Sequence, residues 1–184
     1  LCMLTKKGII KRTLLSAYNT ARKGGIIAID LDEDDELCFT ALTSGSDELI
    51  IATKKGMAIR FKETDARLLG RTARGVRAIN LSDEKDDSVI GCAVVEEGKA
   101  LLTVTETGFG RVSEFDNYRL QSRGGKGLIN YHTEKFGDVA AVAAISGDED
   151  AILISAGGII IRIPTVSISK FARPSKGVRV MRTD

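Results

Sequence analysis

Thr53-Lys54-Lys55-Gly56-Met57-Ala58-Ile59-Arg60, answered 19 residues after its glycine by Thr72-Ala73-Arg74-Gly75-Val76, is one copy of a unit that the chain repeats four times. The first anchor of each copy is a small-polar turn ending in Gly8, Gly56, Gly108 or Gly158, spaced 48, 52 and 50 residues apart. The second is a basic turn ending in Gly25, Gly75, Gly127 or Gly177, spaced 50, 52 and 50 apart. A period of about 50 residues with so few insertions is the signature of one supersecondary unit reused along an array.

Between the anchors the apolar runs are short, rich in β-branched residues and bounded by Gly or charge. Glu48 to Thr53, Met57 to Phe61, Ser88 to Val95, Ala100 to Thr105, Val139 to Ile145 and Ala151 to Ser155 read as strands. The continuously apolar ones suit strands covered on both faces. Lys55-Gly56, Thr107-Gly108 and Gly157-Gly158 read as tight hairpin turns, where glycine supplies a positive φ. Only Glu63 to Leu69 has a helical look. Four strands per repeat predict an all-β, propeller-like fold, a β-pinwheel of about four blades of four strands, with blades at about 1–48, 49–100, 101–151 and 152–184. Leu1-Cys2-Met3-Leu4 reads as mid-strand, so the chain is expected to be a piece of a longer protein.

The charges are sorted in phase with the repeat. Residues 6–25, 54–77, 106–127 and 158–179 carry 23 of the 27 Lys and Arg but only 5 of the 25 Asp and Glu. A net charge of +2 therefore hides a basic part near +18 and an acidic part near −16. Stacked in register, the basic stretches form a stripe suited to a polyanion. The acidic segments, Asp32 to Glu36 and Asp83 to Asp87 among them, are expected to link the later strands and to repel DNA from one face.

The heptad Gln121-Ser122-Arg123-Gly124-Gly125-Lys126-Gly127 resembles the signature box found in the C-terminal domain of the bacterial DNA gyrase A protein, part of a type IIA topoisomerase, with Ser122 where that box has a basic residue. Leu42 to Gly45 with Asp47-Glu48, Lys55-Gly56 with Ile59 to Lys62, and Thr72 to Ile79 are similar to the same family. The resemblance implies a six-bladed pinwheel whose blades exchange strands and whose rim wraps duplex DNA for ATP-dependent negative supercoiling. It implies double-stranded DNA, the rest of the gyrase A protein and the gyrase B protein as partners. It also implies ATP and Mg²⁺ used only elsewhere in the parent enzyme, no cofactor here, and a cytoplasmic, chromosome-associated location. By repeat counting, the four units look like the later four of six. The related C-terminal domain of topoisomerase IV is an alternative. The family's breakage-reunion tyrosine belongs to another domain, so Tyr18, Tyr118 and Tyr131 are given no such role.

In each second anchor, glycine lets the backbone approach a phosphate, and Arg or Lys supplies a fork or a point charge. The DNA-binding candidates are Arg22, Lys23, Arg71, Arg74, Arg77, Gln121, Arg123, Gly124, Gly125, Lys126, Gly127, Arg173, Lys176 and Arg179. Weaker ones are Lys6, Lys7, Lys54 and Lys55 at hairpin tips, and Arg60, Arg111 and Arg162, which with Lys11 and Arg12 recur just after the tips and are expected either to contact DNA or to pair with acids of the neighbouring blade. Such contacts carry no base code, so binding without sequence preference is expected.

Catalysis has no visible seat. His132 is the only histidine, and no acid, base and nucleophile set surrounds it. Asp30, Asp32, Asp34 and Glu36 alternate like a calcium loop, but Asp35 and Ala41 stand where that loop needs Gly and Glu, so no metal is expected. Cys2, Cys38 and Cys92 read as reduced, buried thiols. No run is long enough to span a bilayer as a helix, so no membrane partner is expected. The alternative class is a protein-interaction propeller whose basic stripe takes an acidic partner.

Overall fold

A computed structural model of the chain describes residues 1–81 and 86–183. Of the acidic linker Asp83–Asp87, only residues 86 and 87 fall within it. In chain order the strands are β1 (Cys2–Thr5), β2 (Ile9–Arg12), β3 (Leu37–Ala41), β4 (Glu48–Thr53), β5 (Met57–Lys62), β6 (Val76–Arg77), β7 (Val89–Val94), β8 (Ala100–Thr105), β9 (Phe109–Glu114), β10 (Leu128–Ile129), β11 (Val139–Ile145), β12 (Asp150–Ile154), β13 (Ile160–Pro164) and β14 (Val178–Arg179). All sheet pairings between them are antiparallel.

Each blade is built around a first-anchor hairpin. The sheets run β3-β1-β2-β6, β10-β5-β4-β7, β11-β8-β9-β14 and β12-β13. In each of the first three sheets one edge strand comes from the following repeat. β6, β10 and β14, the short strands just past the second anchors, pair with the hairpin strand of the preceding repeat, as in Ile9↔Arg77, Met57↔Ile129 and Phe109↔Arg179. Three of the blades thus have the expected four strands. The fourth strand is donated by the following repeat, and among the described residues the last hairpin receives neither a donated strand nor a third strand.

The period-two alternation of a strand explains why the central runs are apolar throughout. On β4, Leu49 and Ile51 point into a core with Leu4, Ile10, Ile59, Phe61 and Ile79 between the first two blades. Ile50 and Ala52 point the other way, into a core with Ala58, Leu101, Phe115 and Tyr118. A third core joins Leu102, Val104 and Val112 to Ile145 and Ile168. Every interior sheet is thus an inner layer, and the array has no single centre. Helix is confined to single turns: 3-10 turns at Leu15–Tyr18, Glu63–Asp65, Phe115–Asn117 and Thr165–Ser167, and one α-turn at Thr133–Phe136. The helical reading of Glu63 to Leu69 shrinks to the first of those residues. The other turns are too short to show a period in sequence.

Both anchor glycines serve the strand exchange. The carbonyl of hairpin Gly56, at φ +86°, accepts the N–H groups of Asn130 and Tyr131 at 2.7 and 3.1 Å. Gly8 takes Ala78 and Ile79 in the same way, and Gly108 takes Val180 and Met181. A Cβ on Gly127 would lie 2.3 Å from the carbonyl oxygen of Ala58, and Gly75 and Gly177 are equally tight against Ile10 and Gly110. Gly25 has positive φ but nothing within 4 Å. Gly127→Ala is therefore expected to cost several times more stability than Gly25→Ala, whose loss should be the about 1–2 kcal/mol of left-handed strain. Urea unfolding of both variants would measure this, and equal losses would refute the close-approach argument.

Candidate nucleic-acid interface

The exchange brings the four basic turns into contact with one another. The arginine four residues before each later anchor glycine reaches back to the carbonyl two residues after the previous one. Arg71 donates to Ile27, Arg123 to Arg77 at 2.8 Å, and Arg173 to Ile129 at 3.0 Å. The Nε of Arg123 also donates to the Asp65 carbonyl at 2.8 Å, and that of Arg173 to the Asn117 carbonyl at 2.7 Å. Backbone bonds follow the same register: Asp30 N–H to Ala73 at 3.2 Å, Asn80 N–H to Gly125 at 2.8 Å and Gly124 N–H to Ala78 at 2.7 Å. The turns thus form a continuous file. Arg71, Arg123 and Arg173 act in it as clamps between blades, a role their exposed-looking sequence context did not suggest.

Within the heptad, Gln121 donates its backbone N–H to the Arg60 carbonyl at 2.8 Å, and Gly124, Gly125 and Gly127 lie against the preceding blade. Lys126 alone projects as an exposed cation. Gly127 is therefore closed off by the backbone of Ala58, whereas Gly125 is exposed, with only the tip of Ile59 nearby.

Burial and pairing sort the remaining cations. Arg111, a weaker candidate, is corrected outright: it is 0% exposed, stacks 4.6 Å from the Tyr131 ring centre, and donates to Ser113, Asn130 and Ser175. A guanidinium so enclosed cannot reach a duplex. Lys11, at the equivalent position, is also 0% exposed and donates to Tyr18 at 3.2 Å and to the carbonyls of Ala28 and Arg71. Arg60 pairs with Glu48 at 2.7 Å and reaches the Phe115 carbonyl at 2.9 Å, and exposed Arg162 pairs with Asp150. At the hairpin tips, Lys6 pairs with Glu36 and Lys7 with Asp34, while Lys54 and Lys55 lie 3.6 and 3.0 Å from Asp138. Arg74 pairs with Asp32. The linker acids, Asp32 and Asp34 to Glu36 in particular, thus bind protein groups, with Asp35 accepting the Lys7 N–H at 3.0 Å. Cys38 proves exposed, whereas Cys2 and Cys92 are buried.

Among the described residues, Arg22, Lys23, Arg77, Lys126, Lys176 and Arg179 are exposed and carry no ion pair. Arg67 and Arg119 join them, two residues after the carbonyls of Asp65 and Asn117 that the clamps hold. Sequence reasoning passed over these two, although both sit eight residues before an anchor glycine and so share a structural position.

The family model described as the DNA gyrase C-terminal domain, a beta-propeller, matches residues 1–42, 47–96, 99–146 and 149–184, one segment per repeat. The chain belongs to this family. Its gyrase C-terminal repeats are similar to the DNA gyrase A proteins of Haloquadratum walsbyi, 43% identical over 97% of this chain, and of Staphylococcus aureus strain MRSA252, 40% identical over 99%. This chain spans 21% of the length of each of those relatives. Its fold is that of a solved DNA gyrase A C-terminal domain, with TM-score 0.81 at 26% identity over 100% of this chain and 61% of that one. The C-terminal domain of DNA topoisomerase IV superposes with TM-score 0.91 at 22% identity over 98% of this chain and 57% of that one. At that identity it speaks to the fold alone.

One gyrase-type loop is held by a buried ion pair. Arg12 meets Glu63 at 2.9 Å, with side chains 9% and 1% exposed. Burial works to raise the Glu63 carboxyl, but the N–H of Asp47, the Thr43 hydroxyl, the Arg12 guanidinium and the N–H of Gly45 outweigh it and hold it below the ordinary value. Glu63→Gln, which leaves Arg12 buried without its counter-charge, is expected to cost about 3–5 kcal/mol. In the native protein the pair's contribution is complete above the unfolded carboxylate value of about 4.3 and is lost as pH falls through the lower folded value. Urea unfolding at stepped pH would show that acid-linked loss shrinking in the variant. A second expectation separates clamp from contact. Arg123→Ala should lower stability by about 1–2 kcal/mol, and Lys126→Ala by less than about 0.5, compared by thermal unfolding; the reverse order would refute the clamp.

Proposed function

We propose that this chain is a non-catalytic module of a DNA gyrase A protein that binds and wraps duplex DNA without sequence preference and so enables ATP-dependent negative supercoiling by the holoenzyme. The observation that carries the reading is the file of basic turns, each hydrogen-bonded to the turn before it. Exposed cations without an ion pair rise from that file in every repeat, while Lys6, Lys7, Lys54 and Lys55 are paired at the hairpin tips and Arg74 within the file. The 40–43% identity to gyrase A proteins supports the same reading. The corresponding domain of topoisomerase IV, which shares this fold, is the second reading.

The physical task is to offset the stiffness of DNA. Bending a site of about 20–30 bp smoothly by 40–90° costs on the order of 1–6 kcal/mol. Cations spaced along a rigid array can offset that cost and set the direction of the bend, as Arg-studded histone cores do. Backbone contacts of this kind hold any sequence, with preference arising only from deformability. In this reading the partners are double-stranded DNA, the rest of the gyrase A protein and the gyrase B protein, in the bacterial cytoplasm. ATP and Mg²⁺ serve other parts of the enzyme, and this module takes no cofactor. No helix among the described residues is long and apolar enough to cross a membrane.

Six to nine phosphates neutralised would give a slope of log affinity against log salt of about −5 to −8. Fluorescence anisotropy with two linear duplexes of unrelated sequence would measure it, and both should give the same slope. Lys126→Ala should reduce the slope by about one. Relaxing a closed circular plasmid in the chain's presence should shift its linking number. A flat salt response would remove DNA binding, and a steep one without a linking-number shift would leave binding but remove wrapping.

A further inference from the structure

Resting on the DNA-binding reading, we propose that the principal phosphate seat of this chain is Lys176 with Arg179, held in place by Phe109 and Phe136 at the junction of the third and fourth repeats, and not the box-like heptad Gln121–Gly127. Phe109 opens β9, and Arg179 on β14 is its directly opposed cross-strand partner. The guanidinium carbon of Arg179 stands 4.6 Å from the centre of the Phe109 ring. The Nζ of Lys176 stands 4.6 Å from that same centre and 5.8 Å from the centre of Phe136. The two rings support each other with centroids 5.7 Å apart, and Tyr131 meets Phe136 edge-on at 6.0 Å. The Tyr131 hydroxyl donates to the Lys176 carbonyl and ties the turn to this aromatic group.

Two cations that share one ring centre lie within about 9 Å of each other, inside a Debye length of about 10 Å at 0.1 M salt. Neither forms an ion pair among the described residues, although the acids of the chain quench Arg74, Lys6 and Lys7. The ring quadrupole attracts each cation but neutralises neither. Like charges are thus gathered with no counter-charge, and an anion between them relieves the repulsion. A phosphate diester fits, since it can take the Arg fork and the Lys point charge together. The rings also restrict both long side chains before any ligand arrives, so less rotamer freedom is lost on binding.

The other turns lack this arrangement. At the second, Ile9 stands opposite Arg77, and Arg74 is paired with Asp32. At the third, Met57 faces Ile129 and Lys126 stands alone. At the first, Gly24 and Ile27 occupy the positions of Lys176 and Arg179. Phe109 is accordingly a positioning residue, acting on DNA through the cations that it holds.

The test compares two double variants that remove equal charge. Lys176→Ala with Arg179→Ala should weaken binding to a linear duplex about tenfold or more and reduce the salt slope by nearly two, whereas Arg119→Ala with Lys126→Ala should weaken it about threefold. An equal or larger loss in the second pair would overturn the proposal. Phe109→Leu keeps every charge and should lower affinity about threefold, with Phe109→Tyr restoring it. Native affinity in a Phe109→Leu protein with unchanged thermal unfolding would overturn the role of the ring. Should that variant not fold, Phe136→Leu, outside the strand, decides the same point. Absence of salt-dependent binding in the unaltered chain would instead sink the DNA-binding reading itself.

Discussion

The structure depends on one contact made three times: the carbonyl of a hairpin glycine receiving two backbone N–H groups from the next repeat. An isolated blade here would be three strands with an unpaired edge, and such edges invite pairing with whatever strand is near. Donating a two-residue strand to the preceding hairpin closes that edge within the chain. It demands a backbone approach so close that a single methyl group on either glycine would strike a carbonyl oxygen. The donated strand then carries its own basic turn onto the neighbour, so strand exchange and the continuity of the basic file are the same event.

That geometry divides the cations into two populations. Arg111, Lys11 and Arg12 are desolvated, and their charge is tolerated because carbonyls, hydroxyls or the Glu63 carboxylate satisfy their N–H groups. Lys126, Lys176, Arg179, Arg67 and Arg119 remain in water, where their fields add along the file. Arg71, Arg123 and Arg173 stand between the two groups. Their clamping bonds hold the turns in register, and in that way they govern the spacing of cations that they need not themselves supply.

The gyrase-type fold was largely legible in the sequence. Glycine positions, turn chemistry and uninterrupted apolar runs identified the hairpins at Gly56 and Gly108 and strands such as β4 and β8 nearly to the residue. The candidate interface was legible only as a set of basic turns. In sequence Arg111 and Arg162 look alike, but one is enclosed by Tyr131 and Asn130 while the other is exposed beside Asp150. Glycine at the turns suggested room for a phosphate, where the fold fills the same space with the backbone of Ala58, Ile10 and Gly110.

Local rules were enough for what depends on neighbours in the chain. Period, turn type and strand alternation follow from sterics a few residues in reach, and the sorting of charge into basic and acidic stretches is plain in the order of residues. Which repeat owns the outer strand of a blade, which cations are spent on carbonyls, and why two of them meet over Phe109 were decided only by folding. Each of those depends on pairing between segments distant in the chain, up to 70 residues apart for Phe109 with Arg179 and 68 for Ile9 with Arg77. Sequence separation carries no record of such a meeting until the donated strand has closed the edge.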